Sequence, residues 1–176
     1  MAVLMQGVGL INFEVYLDGK SRMLGISNVE LSNIEYETVE MKGAGLMGTI
    51  AMPVRGNMSD LEMKLTWRTM TSEVAELSKH KSVKLSLYSG QESYDAGSGE
   101  LKVPKHQIEV SCVPKGLNLG KWEPSSTVDD ENTFTVITLN YKIDDKEVLA
   151  FDKANYVLRV NGADQTEAFR RAVGLI

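Results

Sequence analysis

Apolar and polar residues alternate along most of the chain. Over residues 58–70, Leu61, Met63, Leu65 and Trp67 alternate with Asp60, Glu62, Lys64, Thr66 and Arg68. Successive strand side chains point to opposite faces, so this spacing predicts a strand with one face on a core and one charged face. Phe13, Val15 and Leu17 alternate with Glu14, Tyr16 and Asp18, and Asp18-Gly19 predicts a hairpin turn. In the next run, 23–41, the apolar parity shifts between Leu31 and Ile34, which predicts a bulge or bend near Ser32-Asn33. Further strands are predicted over 82–89, 105–114 and 132–143, the last with a hairpin partner over 147–151. Segment 132–143 has Phe134 and Val136 on one parity and Ile137, Leu139, Tyr141 and Ile143 on the other, the pattern of a central strand covered on both faces. Short strands broken by turn residues predict a mainly β (α+β) chain, an antiparallel sandwich or barrel rather than a wound α/β fold.

Two segments depart from period two. Residues 71–80 predict a helix with Thr71 or Ser72 as N-cap, Glu73 in the first turn, Lys79 and His80 in the last, and Val74 and Leu77 on one apolar edge. Residues 163–173 predict a C-terminal helix, opened by an Asp164/Glu167 capping box, closed by Gly174, and docked on the sheet through Phe169 and Ala172. Segments 91–100 and 124–131 predict exposed loops. Residues 41–55 combine Gly43, Gly45 and Gly48 with Met41, Leu46, Met47, Ile50 and Met52, more apolar surface than a solvated loop needs. No repeat or composition break divides the chain, so 1–176 is expected to be one domain.

Composition narrows the function classes. The 176 residues are 43% hydrophobic, enough for one core, and the net charge of −5 argues against a phosphate-neutralising surface. The single cysteine, Cys112, leaves no internal disulfide. The N-terminus lacks a cationic start and no run approaches about 18 apolar residues, so neither a signal peptide nor a membrane-spanning helix is expected.

Candidate chemistry does not converge. Gly43-Ala44-Gly45-Leu46-Met47-Gly48 fits G-x-G-x-x-G, but β-branched Thr49-Ile50 and then Pro53 follow where a dinucleotide site needs a helix. His106 and Cys112, six residues apart on one strand, stand about 20 Å from each other. With two histidines and one cysteine there is no transition-metal ligand set. The Asp129-Asp130-Glu131 run and Asp144-Asp145 fall in predicted loops, where carboxylates are solvated. The expectation is a non-enzyme with no cofactor and no metal.

A resemblance carries the reading further. The chain resembles the major tail tube proteins of contractile-tailed phages and of the R-type bacteriocins derived from them. The matching pieces are Val15-Tyr16-Leu17-Asp18-Gly19, then Ile34-Glu35-Tyr36-Glu37-Thr38 with the glycine loop after it, and Gly116-Leu117-Asn118-Leu119-Gly120-Lys121-Trp122-Glu123-Pro124. Leu139-Asn140-Tyr141-Lys142-Ile143-Asp144, Glu147-Val148, and Val160-Asn161-Gly162-Ala163-Asp164-Gln165 with Arg170, Arg171 and Gly174-Leu175 complete the match.

The resemblance implies a sandwich or barrel with a flanking helix, assembled as hexameric rings that stack into the rigid inner tube of a contractile tail. Its implied partners are further copies of itself, a sheath, baseplate and tape-measure proteins, with DNA or ions passing through the lumen. The implied location is a phage tail or tail-like particle, its subunits made in the host cytoplasm. Residues 41–55 become an inter-subunit or inter-ring element, with Met41, Gly43, Gly45, Leu46, Met47, Gly48, Ile50 and Met52 as contacts. Asp60, Glu62, Lys64 and Arg68 are lumen candidates. Six copies at −5 each carry about −30, which would repel DNA rather than bind it. The alternatives are a type VI secretion-like ring protein and a small β-sandwich binding module.

Overall fold

In the computed structural model, which describes every residue except 1–4, 19, 20 and 24, alternating segments become strands and the two helical segments become short helices. Strands β1 (Met5–Leu17) and β2 (Ser21–Met23) form the first hairpin, Leu17 opposite Ser21. Gly19 of the predicted turn and the first four residues lie outside the described residues. β3 (Ile26–Leu31) pairs with β6 (Glu62–Trp67). The parity break at Ser32-Asn33 is where the chain leaves this sheet, so the expected single run 23–41 is two strands in different sheets. After the break, β4 (Tyr36–Met41) and β5 (Ile50–Met58) pair with each other as a separate two-stranded sheet.

Helix α1 (Ser72–Glu76) is capped by Thr71, whose side chain accepts from the Val74 amide. It ends short of the expected 71–80 because bonds from Leu77, Ser78 and Lys79 reach back three residues instead of four, tightening and terminating the last turn. Val74 and Leu77 are buried, as their spacing predicts.

β7 (Val83–Asp95) and β8 (Glu100–Lys102) replace most of the expected 91–100 loop. Only the turn between them remains, held by Asp95 accepting from the Gly97 and Ser98 amides. β9 (Lys105–Asn118) and β10 (Asp130–Ile143) follow, so Asp130 and Glu131 of the expected 124–131 loop are strand. The chain then runs through β11 (Lys146–Asp152), β12 (Val157–Val160), the short β13 (Ala163–Asp164) and helix α2 (Glu167–Ala172).

The long strands β9 and β10 build two layers. The first half of β10 pairs with β6, its second half with β11, and β9 follows it throughout. One layer is therefore β3–β6–β10–β9, and the other runs β13–β12–β11–β10–β9–β7–β1–β2. Register shifts at Thr133/Phe134 and Val136/Thr138 mark the bend between them. In β10, burial falls on Asn132, Phe134 and Val136, then jumps to Leu139. The double apolar parity of 132–143 thus comes largely from a bulge that flips the inward face, not from a straight strand covered on both sides. Val15, Leu85 and Val110 of one layer meet Met63, Leu65, Trp67 and Phe134 of the other in one core.

α2 starts later than expected because Ala163 and Asp164 pair as β13. Asp164 accepts from the Thr166 amide rather than forming a capping box with Glu167. The helix buries none of its residues, so the expected docking through Phe169 and Ala172 is not what holds it.

Candidate functional site

Residues 41–55, expected as a flexible loop or long hairpin, form the outer part of the β4–β5 hairpin. Met41 and Ile50 face each other across the ladder and 42–49 make the tip, where Gly45 and Gly48 take φ of +94° and +107°. Those left-handed conformations are glycine's, which explains the glycine spacing without any phosphate. The motif runs into strand β5, not a helix, the wrong geometry for a pyrophosphate cradle.

Every residue of β4 is exposed, as are Gly43, Leu46, Ile50 and Met52, and Met47 at the tip is wholly so. A lone two-stranded hairpin is at best marginally stable in water, and this one shows Val39, Met41, Leu46, Met47, Ile50 and Met52 to solvent. From Gly43 to Val54 the chain carries no charge, although 24% of the protein is charged. The hairpin base is tied to the body: Ser59 donates its amide to the Glu35 carbonyl, and the Lys153 ammonium reaches the Ser59 carbonyl at 2.7 Å. Near that base the register slips between Tyr36 and Thr38, and Gly56 at φ +81° lets β5 bulge.

Glu62 and Lys64 lie on the outer face of the β3–β6–β10–β9 layer, opposite the core, with Asp60 just ahead of β6. The structure adds a residue the sequence did not single out. Lys115, on β9, bridges Asp60 at 3.0 Å and Glu62 at 2.5 Å. The hydrogen bond from Lys115 holds the Asp60 carboxyl below the usual range, and Glu62 and Asp60 in turn raise the Lys115 ammonium. Lys64 faces Glu131 across the ladder at 3.6 Å, and Glu30 pairs with Lys64 in register. Arg68 sits one residue past the end of β6, where its amide bonds the Gly25 carbonyl, so it is not part of this face's ladder. Lys115 meets residues 55 and 53 positions before it in sequence, which periodicity alone does not reveal.

The residues that could carry chemistry stay apart. Cys112 is fully buried, donates to the Val83 carbonyl, and burial pushes its thiol up to about 12, the opposite of nucleophile activation. His106 lies six ladder pairs away opposite Ser89, its Nδ1 2.6 Å from the Tyr141 hydroxyl. Asp144 and Asp145 both take positive φ as the two-residue turn between β10 and β11, and both engage Lys105. Asp95 and Asp164 are depressed to about 2, mainly by Lys102 and Arg170 respectively, and Arg159 lowers Glu147. Asp95, Asp164 and Glu147 thus shift toward the ionised form, each chiefly through an ion pair. General-acid catalysis near neutrality needs a carboxyl raised instead.

This architecture matches solved structures. A chain of the PVC sheath–tube complex of an extracellular contractile injection system, in its extended state, is 17% identical, with a TM-score of 0.52 over 75% of this chain and 88% of that one. A chain of the PVC sheath/tube terminator aligns with a TM-score of 0.51 at 17% identity, over 75% of this chain and 94% of that one. The tube-terminating cap of the anti-feeding prophage aligns with a TM-score of 0.51 at 13% identity, over 74% of this chain and 87% of that one. At such identities the likeness is one of fold. Among curated protein sequences no relative matches. The sequence of residues 9–174 matches the phage tail tube protein FII family. That match spans nearly the whole chain, and the chain belongs to the phage tail tube protein FII family, as a structural subunit of a tail tube.

Proposed function

We propose that the subunits associate as hexameric rings stacked into the rigid inner tube of a contractile tail or tail-like particle, a non-enzymatic conduit for DNA or ions. The observation that carries this reading is the β4–β5 hairpin, an arm whose stretch from Gly43 to Val54 is uncharged and largely apolar and which pairs with no other described strand of its own subunit. Such an arm is stabilised by a neighbour, and six copies around a ring would engage multivalently. Met41, Gly43, Gly45, Leu46, Met47, Gly48, Ile50 and Met52 then belong to an interface between subunits. The β3–β6–β10–β9 layer would close with neighbouring copies into a barrel, its outer face toward the lumen. On that face Glu30, Asp60, Glu62 and Glu131 outnumber Lys64 and Lys115, which suits weak contact with DNA. A sheath around the tube and a baseplate beneath it are the partners this reading requires, by analogy with the sheath–tube complexes of similar fold. A tape-measure protein would set tube length.

The test is the triple variant Leu46→Ser, Met47→Ser, Ile50→Ser. It should give a soluble subunit with native circular dichroism but no long tubes in negative-stain micrographs. Tubes of normal length from that variant would remove the hairpin from the stacking contact.

A further inference from the structure

At the foot of the hairpin lies a groove of about 520 Å³, within the roughly 300–1,000 Å³ range of binding pockets. Its floor is Leu158 and Thr166, both buried, and its walls include Tyr36, Met52, Val54 and Val160, all exposed. Among the described residues that line it none is charged. We infer that this groove is the socket for the hairpin tip of a second copy, Leu46 and Met47 of one subunit seating between Val54 and Val160 of the next. The inference rests on the tube-subunit reading above.

Three observations favour the tip over other occupants. The tip from Gly43 to Thr49 carries no charge and exposes Leu46 and Met47, and the described lining of the groove is uncharged and mostly apolar, on a surface otherwise rich in carboxylates and lysines. They lie at opposite ends of one arm: the five steps from Tyr36 to Met41 alone cover about 17 Å, and the tip extends beyond. A contact between different patches of identical subunits is heterologous, and when donor and acceptor are displaced along one direction it repeats without closing, which produces an open-ended polymer. Glycines at 43, 45 and 48 give the tip the backbone freedom to fit, with nothing within 4 Å of the position a side chain would occupy on any of them.

The experiment pairs cross-linking with charge exchange in the full-length chain. Cys112 is buried and its thiol is raised to about 12, so introduced cysteines react against a quiet background. Oxidised tubes of the Met47→Cys, Val160→Cys double variant should run as a ladder of dimers, trimers and higher species. A mixture of the two single variants should give dimers only. Met47→Lys and Val160→Glu, each with native circular dichroism, should each cut tube formation at least tenfold, and the two combined should restore it. Normal tubes from Val160→Glu together with no ladder overturn the socket. If the triple serine variant still blocks tubes in that case, the hairpin contact survives and only its acceptor is wrong. Cross-linking of Ile176→Cys to Val160→Cys between copies, in place of Met47→Cys, would assign the groove to the C-terminal tail and also overturn it.

Discussion

Two single residues are constrained by contacts that run between backbone segments. Gly120 sits at φ +65° in the loop between β9 and β10, and a Cβ there would lie 2.0 Å from the Val128 carbonyl oxygen. The Lys121 amide bonds that same oxygen at 3.1 Å, so the loop is cinched at this point while Trp122 beyond it stays 81% exposed. Gly120→Ala must open the cinch and hold a left-handed backbone, and should cost about 2 kcal/mol or more, read as a lowered urea midpoint of the subunit. Asp164 is the second case. Its pKa lies near 2 rather than 3.8 because Arg170 and the Thr166 amide bond the carboxylate, so its contribution to stability is present above pH 4 and is lost as pH falls toward 2. Asp164→Asn should therefore be less stable than wild type at pH 7 and lose less stability between pH 4 and 2. An identical acid limb in both proteins would show that the pair contributes nothing. Neither constraint is written in the periodicity of the sequence: Gly120 meets a carbonyl eight residues on, and Asp164 looks like half of a capping box until β13 turns it toward Arg170.

At the scale of elements, the C-terminal helix shows why an apolar spacing can mislead. Phe169 and Ala172 fall on one side of α2, yet the helix buries no residue and Phe169 is 41% exposed, resting on Tyr156 at 5.4 Å between ring centroids. Polar bonds hold the helix instead. Thr166 is buried, its hydroxyl donates to the Tyr156 carbonyl and accepts from the Leu158 amide, and Arg170 clamps Asp164 at 2.5 Å. Phe169→Ala should cost under about 1 kcal/mol, the scale of an exposed aromatic pair, rather than the 3 to 5 of a buried ring, as a thermal melt of the unassembled subunit would read. β6 is the opposite case. Leu61, Met63, Leu65 and Trp67 are all buried, and the Trp67 indole donates to Asn132 across the ladder at 2.9 Å. Its strict alternation was legible because the strand is straight and lies over the core. β9 and β10 were legible as strands but not as bent ones, since the bulges that pass them from layer to layer depend on which strands lie alongside. The hairpin was visible as an anomaly of composition, and its groove was not, because Tyr36, Val54 and Leu158 meet only in the fold.

For the molecule as a whole, the decisive feature is a sheet edge. β3 pairs with β6 on one side and with no described strand on the other, and beyond Cys112 β9 likewise has β10 as its one ladder partner. Exposed edges invite pairing with another chain, and in the proposed ring of identical copies these two would be removed if each β3 joined the next subunit's β9. Hydrogen bonds in an antiparallel ladder alternate along the strand. The Ser32 amide bonds the Glu62 carbonyl, and Glu30 and Asn28 share that register with Lys64 and Thr66, so the amides of Val29 and Leu31 point away from β6. In the isolated subunit these two amides should exchange with solvent within seconds to minutes, and in the tube they should be protected at least a hundredfold more. Amides of β10, bonded on both sides within the subunit, should change little. Hydrogen exchange read by mass spectrometry on peptides covering 26–31 and 130–143 separates the two cases, because packing without strand pairing would slow both regions modestly and alike. Exchange over 26–31 as fast in tubes as in free subunits would mean that β3 is not the closing edge, and that the subunits meet through side chains alone.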